Sequence, residues 1–426
     1  MECQVNERCR SLGRRSWALA IALSAAPSIL GAHWQEGPPL PDARYFHAAA
    51  ATSDGQVYVL GGWVEGPPNY VRAPAVGKRA LLVLDGQEWR QRPTPPDHHF
   101  RSVAHFYRKV LSYGAPPAQI PTERHDVQQE KLPFEGLFAE SDGRTRVYWF
   151  APTGPIYFDA AGGSWGQPEG PVIHQISDFW TKRVDRANSL PAWVRGGGST
   201  ARGPDGRIYL TGGIGREFGA THPEVVLSAV EIYDPRTDSW TIGAPMSRPR
   251  QVHASTFGTD GKLYVFGGCA CVGGLVATSG SDPAVNARAA LELLEESHSI
   301  ALTEVYDPAA DRWEPRAPMP TPRQELTAAT GRDGLIYVIG GSRGYAEPGV
   351  DTVEIYNPAT DTWSEGPSLR RPRQGHASAV TPDGRIWVTG GLSPGPTLRE
   401  PMRLLRGDKA GAQTSVEFLE TLPEPK

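Results

Sequence analysis

Short apolar runs that end in a pair of glycines recur along the chain, and each follows an Asp-Gly pair, as in DGQVYVLGG. A stretch rich in Ala, Gly, Ser and Thr precedes each copy. Asp-Gly between two such runs is a strong signal for a tight hairpin turn. Each copy therefore predicts a strand of small residues, a turn and an apolar strand. The five clear copies begin at Asp54, Asp205, Asp260, Asp333 and Asp383.

A second block completes the repeating unit. It reads VEIYDPRTDSW, TEVYDPAADRW and VEIYNPATDTW, and its copies end in Trp240, Trp313 and Trp363. Asp-Pro followed by Thr-Asp is typical of a tight turn, so the block predicts a third strand, a turn and a fourth strand that opens with Trp. A four-stranded sheet of this size cannot bury both faces alone, and neighbouring copies are expected to pack against one another.

The number of units and the closure of their ring also follow from the pattern. A degenerate unit lies between Asp142 and Trp165, where the Gly-Gly pair is lost, so we count six units, which start near residues 44, 131, 195, 250, 323 and 373. The unit that begins at Arg373 reaches SVEFL without a following Trp strand. Trp34 stands ten residues before Arg44, the spacing that the other units show, and is predicted to supply the missing outer strand. This would close the ring without an open edge.

The Gly-Gly, Tyr-Asp-Pro and Trp signatures at fixed spacing resemble the kelch repeat, and the resemblance covers nearly all of the chain after residue 32. The resemblance implies an all-β fold, a six-bladed kelch-type β-propeller whose last blade is closed by the N-terminal strand around Trp34. Residues 33–426 are then expected to form a single propeller domain.

The first 32 residues have the pattern of a signal peptide. Arg8, Arg10, Arg14 and Arg15 precede the apolar run WALAIALSAAPSILGA, and polar chain follows from His33. We expect cleavage near His33, export to a periplasmic or extracellular location, and no integral membrane span in the mature chain. An uncleaved weak anchor is the alternative, although the run is short for a membrane span.

Charge and cysteine content exclude some classes of function. The formal net charge is −4, and no Lys/Arg-rich run occurs outside the N-terminus, so a nucleic-acid partner is not expected. Cys3 and Cys9 belong to the predicted signal peptide, which leaves Cys269 and Cys271 in an insertion after a Gly-Gly pair. A C-x-C spacing with no second pair is a poor zinc signature, and an inert or locally paired loop is the preferred interpretation.

Five arginines stand ten residues before the five Asp-Gly pairs, at Arg44, Arg195, Arg250, Arg323 and Arg373. Because the first two strands form a hairpin, these arginines and the Gly-Gly pairs lie at the same end of each blade, which we call the arginine face. Insertions open onto the same face, where binding contacts usually concentrate. They are Trp63 to Ala80, Pro93 to Glu130, Gly166 to Val194, Ile214 to Ala229, Cys269 to Leu302 and Leu392 to Thr414.

Two roles are open for the five arginines. Guanidinium groups hold carboxylates in a bidentate geometry, and five cations at one channel mouth would repel one another without a bound anion. Glu325 is the acid that follows one of them closely. One hypothesis is therefore that the arginines bind an acidic ligand. In the alternative, each arginine bonds backbone carbonyls of its own or a neighbouring blade.

Histidines offer weaker candidates. His47, His253 and His376 each follow an arginine by three residues, and we interpret them as hydrogen-bonded residues of the inner strands. His98, His99 and His105 share an insertion with Asp97 and are weak candidates for metal binding, because they lack a fixed ligand spacing. We expect no metal and no other cofactor.

Two functions are compatible with these features. The first is an exported binding or interaction protein that recognises an acidic glycan or peptide, or a protein partner, on the arginine face. The second rests on a distant resemblance to bacterial N-acetylneuraminate epimerase, which implies a carbohydrate-active isomerase acting on an acidic sugar. The sequence offers no recognisable acid/base pair for it. Glu217, His222 and Glu224 share one insertion, but their spacing does not indicate catalysis.

Overall fold

The structure is a computed structural model. It describes residues 32–62, 80–94, 138–142, 145–151, 154–166, 195–215, 225–270, 299–344, 347–393 and 411–421. The predicted signal peptide up to residue 31 lies outside the described residues, as does most of each predicted insertion. Within the described ranges all regular secondary structure is β, and no helix occurs. The all-β prediction is confirmed.

Six four-stranded antiparallel sheets form the blades. The chain begins with β1 (Gln35–Glu36), which belongs to the last blade. Blade 1 contains β2 (Ala48–Ala51), β3 (Val57–Leu60), β4 (Leu81–Asp85) and β5 (Glu88–Arg92). Blade 2, the predicted degenerate unit, contains β6 (Phe138–Ser141), β7 (Arg146–Ala151), β8 (Gly154–Asp159) and β9 (Ser164–Gly166).

Blade 3 has an additional small sheet beside it. That sheet contains β10 (Arg195–Gly196), β13 (Ile214–Gly215) and β14 (Val225–Val226). Blade 3 itself contains β11 (Ser199–Arg202), β12 (Ile208–Thr211), β15 (Val230–Asp234) and β16 (Ser239–Gly243). The small sheet extends the arginine-face end of the blade, because β13 continues from β12 after Gly213.

The remaining blades follow the same order along the chain. Blade 4 contains β17 (Ala254–Phe257), β18 (Leu263–Phe266), β19 (Thr303–Asp307) and β20 (Arg312–Arg316). Blade 5 contains β21 (Thr327–Thr330), β22 (Ile336–Ile339), β23 (Val353–Asn357) and β24 (Thr362–Glu365). Blade 6 contains β25 (Ala377–Val380), β26 (Arg385–Thr389) and β27 (Val416–Glu420), and β1 is its outer strand.

The innermost strands form a closed ring, because each contacts the innermost strand of the next blade in the order β2, β6, β11, β17, β21, β25 and back to β2. Their small residues permit this approach. The second strand is buried along its length in blades 1, 3, 4 and 5, and after Arg385 in blade 6, because it packs against the neighbouring blades on both faces. Burial of one such apolar side chain stabilises the fold by about 1.5–3 kcal/mol.

The N-terminal strand closes the ring as the sequence predicts. Strand β1 pairs with β27 in antiparallel register, with Gln35 opposite Phe418 and Glu36 opposite Glu417. Trp34 is buried, and its indole Nε1 donates a hydrogen bond to the carbonyl of Pro367 at 2.8 Å, in the segment that follows blade 5. The first and last parts of the described chain are thereby joined in one blade.

The tryptophans of the outer strands repeat this contact around the ring. In blades 1, 2, 4 and 5 the indole Nε1 donates to a backbone carbonyl just after the outer strand of the preceding blade, and this bond links adjacent blades. The bonds are Trp89 to Pro38 (2.8 Å), Trp165 to Pro93 (2.6 Å), Trp313 to Ala244 (2.7 Å) and Trp363 to Ala317 (2.9 Å). The signature Trp of the repeat therefore has a structural role between blades.

Candidate functional site on the arginine face

The long connections leave and re-enter the propeller at one face. In blade 6 the backbone N–H of Ser393 donates to the carbonyl of Gly411 at 2.9 Å, so the two ends of the segment 394–410 lie side by side. The chain departs likewise after Gly62 and returns at Ala80 beside it, since Leu60 and Leu81 are paired. On the opposite face, short turns join the strands, as between Ala51 and Val57.

Four of the five predicted ligand-binding arginines are enclosed by the blades. Arg44, Arg250, Arg323 and Arg373 each have a relative exposure of 0%. The backbone of Arg195 pairs with Gly215 in the small sheet, and its side chain lies outside what the structure describes. The arginines do stand at the predicted face, but the four described guanidinium groups offer no surface to a ligand.

Each buried guanidinium bonds the carbonyl of the first glycine of its own Gly-Gly pair, 17 residues later. Nη1 is the donor in every case, which explains the constant spacing between the arginine and the glycines. The bonds are Arg44 to Gly61 (3.0 Å), Arg250 to Gly267 (3.4 Å), Arg323 to Gly340 (2.5 Å) and Arg373 to Gly390 (2.9 Å). The glycines are left-handed here, with φ of 62° at Gly267, and this conformation turns their carbonyls toward the arginine.

A glutamate of the third strand neutralises three of these arginines. Arg323 Nη2 lies 2.8 Å from Glu354 Oε2, and the same contact joins Arg250 to Glu304 and Arg373 to Glu417. Burial lowers the pKa of each guanidinium, for Arg250 to about 10, and the carboxylate partly opposes this shift. These acids were not among the residues predicted from the sequence. The signal was present, because a Glu recurs as the second residue of the VEIYDP-type block.

Blade 1 lacks this carboxylate. The position that pairs with the second strand is Leu82, opposite Val59, whereas in blade 5 it is Glu354, opposite Val338. Arg44 instead contacts Asp42 at 3.5 Å, a side chain that is 41% exposed. Burial lowers the pKa of Arg44 to about 10, and Asp42 opposes this shift. Arg44 therefore has the more distant carboxylate among the four described arginines.

These contacts correct the expectation that ligand binding compensates the arginine charges. We expected repulsion among cations at a channel mouth, with Glu325 as the local acid. Instead, the compensation comes from backbone carbonyls and from acids on the third strands, which the register of each sheet brings to the arginine. The alternative interpretation, in which each arginine serves its own blade, accounts for all the contacts described.

The three inner-strand histidines link adjacent blades. His47 Nε2 lies 2.8 Å from the hydroxyl of Thr389, and His253 makes the same contact with Thr211 at 2.8 Å. His376 is 3.0 Å from Thr327. Burial lowers the pKa of His47 to about 3, with Arg44 as a further cause, so this imidazole is neutral at ordinary pH. These histidines are hydrogen-bonded residues of the inner strands, as interpreted from the sequence.

A ring of backbone hydrogen bonds lies at the arginine-face end of the inner strands. Its members follow the five arginines by two residues, and we call them the mouth ring: Phe46, Gly197, Val252, Glu325 and Gly375. Four of the five N–H groups donate to the carbonyl of the member before them around the propeller, with donor–acceptor distances from 2.5 to 3.1 Å. The bonds are Phe46 to Gly375, Gly375 to Glu325, Glu325 to Val252 and Val252 to Gly197.

All five members of the mouth ring have a left-handed backbone. The φ angles are 50° at Phe46, 47° at Val252 and 55° at Glu325, residue types for which this conformation is uncommon. The cost is about 1–2 kcal/mol for each residue that carries a Cβ. The hydrogen bonds of the ring hold this conformation in place. Strained residues held by their surroundings occur preferentially at ligand sites, so the ring is a candidate functional feature.

The inner strands also enclose a central channel with a cavity volume of about 490 Å³. Its wall is formed by small and hydroxyl-bearing residues together with the three histidines. Among the described lining residues, Arg202 carries the charge, and it lies at the end of β11 that faces the short turns. At the arginine-face end, the described lining residues therefore include no Asp, Glu, Lys or Arg.

The cysteine and metal predictions fall mainly outside the described residues. Cys269 is buried and disulfide-bonded, and its backbone bonds Gln251 in both directions; Cys271 is not described. The partner of this disulfide lies outside the described residues, so a locally paired loop stays a prediction. His98, His99 and His105 lie outside the described residues, as do Glu217, His222 and Glu224. Within the described ranges no group of three His, Cys, Asp or Glu side chains has the arrangement of a metal site.

Comparison with known proteins shows kelch repeats. The family model described as "Kelch motif" matches residues 195–247 and 326–370, which fall in blades 3 and 5. Human Kelch repeat and BTB domain-containing protein 12 is 30% identical over 144 residues, 32% of this chain and 20% of the human protein. An F-box/kelch-repeat protein of Arabidopsis thaliana is 32% identical over 123 residues, 29% of this chain and 26% of that protein.

A third relative extends the similarity. Kelch-like protein 25 of Xenopus tropicalis is 28% identical over 173 residues, 40% of this chain and 24% of the relative. The matched part of the chain thus spans about a fifth to a quarter of the length of these relatives. Among the described residues, no helix is long and apolar enough to cross a membrane.

Proposed function

Since this chain is a kelch-repeat β-propeller, we propose that it is a protein-interaction module that binds its partner on the arginine face. Kelch-repeat proteins generally mediate protein interactions, which supports this class of function. The observation that carries the choice of face is the asymmetry of the connections. Long segments leave and return beside Gly62 and Ser393, while short turns close the other face.

The rigid frame under this face is suited to presenting loops. The buried Arg–Glu pairs and the mouth ring fix the ends of the strands from which the segments depart. Loops on a scaffold of this kind are where binding residues concentrate in repeat proteins. Variation in the segments can change the partner without altering the blades.

The proposal does not assign an acidic character to the ligand. That hypothesis required guanidinium groups at the surface, and the four described side chains are enclosed. The isomerase alternative is not part of the proposal, because the relatives named above are kelch-repeat proteins whose names indicate no isomerase. We also propose export, on the basis of the signal-peptide pattern of residues 1–32 alone.

Shortening a segment on the arginine face tests the proposal. Replacing residues 394–410 with a two-residue Asn-Gly turn should preserve blade 6, since Ser393 and Gly411 are already hydrogen-bonded. A partner recovered with the tagged wild-type protein and reconstituted from purified components should lose affinity for this variant. A similar replacement of residues 63–79 examines a second part of the same face.

The matched control lies on the opposite face. Ala309 and Ala359 are exposed in the turns of blades 4 and 5, and their methyl groups can be replaced by a charged side chain without loss of a hydrogen bond. The double variant Ala309→Glu/Ala359→Glu should bind the partner as wild type does. Loss of binding in this control with unchanged binding in both shortened variants would overturn the choice of face.

A further inference from the structure

Glu325 occupies a position in the mouth ring that is a glycine in two of the other blades. Its φ is 55°, and the equivalent residues in blades 3 and 6 are Gly197 and Gly375. Glycine adopts this conformation without a steric penalty, whereas glutamate does not. The backbone geometry of the ring therefore does not account for the presence of a carboxylate here.

One oxygen of the Glu325 carboxylate is left without a bond. The buried Oε2 accepts no hydrogen bond from the described residues. Arg323, two residues earlier, pairs instead with Glu354 at 2.8 Å. Burial alone raises the pKa of Glu325 to about 7, which means that no neighbouring charge compensates the carboxylate. An uncompensated buried carboxylate destabilises a fold, and such groups concentrate at binding and catalytic sites.

The surroundings of Glu325 suit a cation. The buried guanidiniums below the ring, Arg323 and Arg373, are each paired with a glutamate, so they do not repel a positive charge. In the channel wall, the charged residue among those described, Arg202, lies at the far end. Neither of the paired guanidinium groups is therefore available to repel a cation that approaches Glu325 from the arginine face.

An aromatic ring lies beside Gly375, the next member of the mouth ring after Glu325. The ring of Phe46 covers Gly375, because a Cβ built on Gly375 would lie 2.9 Å from Phe46 Cε1. Gly375 is also the member that bonds the carbonyl of Glu325, and it contributes no side chain between the two. A carboxylate and an aromatic face are the two groups that attract ammonium and guanidinium ions most effectively.

We propose that Glu325 and Phe46 form a subsite of the mouth ring that receives a lysine or arginine side chain of a polypeptide partner. The inference rests on the proposed protein-binding function of this face, and it names the chemistry of the anchor. The apolar stem of the side chain would pack against Val252 and the alanine-rich channel wall. The channel of about 490 Å³ lies within the size range of sites that enclose a ligand group.

Short peptides test the subsite without knowledge of the partner. The probes are N-acetylated, C-amidated Gly-Gly-Xaa-Gly-Gly peptides in which Xaa is lysine, arginine, norleucine or glutamate. Binding is followed by NMR titration of the methyl groups of Val252 and Leu326, which adjoin Glu325. We expect the lysine and arginine peptides to bind at least tenfold more tightly than the norleucine peptide, and the glutamate peptide to bind most weakly.

Variants separate the carboxylate from general charge effects. Glu325→Gln keeps the shape of the side chain and should abolish the preference for cationic peptides. Glu365→Gln removes an exposed carboxylate of the same blade and should leave the preference unchanged. Phe46→Leu retains the carboxylate and should weaken binding of both cationic peptides several-fold. Thermal melting of each variant confirms that the propeller remains folded.

The outcomes distinguish this inference from the proposed function. Equal binding of the norleucine and lysine peptides, or a cationic preference that survives Glu325→Gln, overturns the subsite. In that case, if the shortened variants of the arginine face still lose affinity for the partner, the proposed function stands without the subsite. If the peptides behave as expected while the partner binds independently of this face, the proposed function is the part that fails.

Discussion

Arg323 and Glu354 form a fully enclosed ion pair in blade 5, with Nη2 and Oε2 2.8 Å apart and exposures of 0% and 6%. The guanidinium also donates to the carbonyls of Gly340, Thr352 and Val338. Removal of water from both charges is expensive, and the pair is stabilising only because these additional bonds satisfy the guanidinium. The arrangement fixes the arginine-face end of three strands at once.

Breaking this pair should destabilise the propeller strongly. Arg323→Ala leaves Glu354 buried without its partner, and we expect a loss of about 3–5 kcal/mol in the free energy of unfolding. The double variant Arg323→Ala/Glu354→Ala removes both charges and should lose less than the sum of the losses of Arg323→Ala and Glu354→Ala. Urea denaturation of the four proteins of this double-mutant cycle measures the coupling.

An exposed ion pair is the control for that cycle. Arg385 Nη2 lies 2.9 Å from Glu420 Oε1, with exposures of 41% and 49%. Removal of either partner should change stability by less than about 1 kcal/mol, because solvent screens the pair. An equal loss from the exposed and the buried pair would contradict the structural role of Arg323.

The closing strand gives a second prediction. Trp34→Ala removes a buried side chain and its bond to Pro367, so the free energy of unfolding should fall by about 3–5 kcal/mol. Trp34→Phe retains most of the apolar surface and should lose less. Calorimetric melting curves of the two variants and wild type provide the comparison. An unchanged melting temperature for Trp34→Ala would exclude β1 from the closure of the ring.

The inner-strand histidine His47 predicts a loss of stability in acid. Its pKa is lowered to about 3 in the fold and is about 6.5 in the unfolded chain, so the unfolded state binds more protons between these values. Stability is therefore unaffected by this group above pH 6.5 and falls below it, by about 3 kcal/mol at pH 4.5. His47→Gln should be less acid-sensitive than wild type by a similar amount.

His47→Gln also alters the bond to Thr389, which changes stability at every pH. The quantity to compare is therefore the change in stability between two pH values for each protein. Denaturation midpoints at pH 7.5 and 4.5 give that difference for each protein. The exposed residue His33 provides a matched control, since His33→Gln should leave the pH dependence as in wild type. Parallel pH profiles for wild type and His47→Gln would show that His47 does not remain neutral in the fold.

The raised pKa of Glu325 predicts the opposite trend, a loss of stability as the pH rises. Its pKa is raised to about 7 in the fold, from 4.5, so its contribution to stability is present below pH 4.5 and is lost as the pH rises through 7. Glu325→Gln should therefore gain stability relative to wild type by about 2–3 kcal/mol between pH 5 and 8. Arg323, the charged residue nearest in sequence, and the Glu354 carboxylate that pairs with it are unchanged in both proteins.

Denaturant titrations of wild type, Glu325→Gln and Glu365→Gln at the two pH values measure this effect. Glu365 is exposed on the outer strand of the same blade, and its replacement should produce no such pH-dependent gain. A stability difference between wild type and Glu325→Gln that does not change with pH would mean that the carboxylate ionises in the fold as freely as in water.

The repeating sequence by itself determined the architecture. Hairpin turns at Asp-Gly, strands that end in Gly-Gly and the Trp that opens each outer strand are local signals, because they reflect backbone geometry over a few residues. The ten-residue spacing between Trp34 and Arg44 was sufficient to place the closing strand, since the other blades show the same spacing. The degenerate blade 2 was likewise found from its turns and strands.

The environment of the side chains was decided only in the tertiary structure. Arg250 and Glu304 are 54 residues apart in sequence, and only the register of β18 with β19 brings the acid to the arginine. A repeated arginine at a channel mouth suggests a ligand site when its partners are unknown, but enclosure between strands leaves the guanidinium no surface. The mouth ring depends on bonds between different blades, so local sequence could not show that Glu325 is strained and uncompensated. Burial and pairing are properties of the assembled sheets, whereas strand and turn positions are encoded within each repeat.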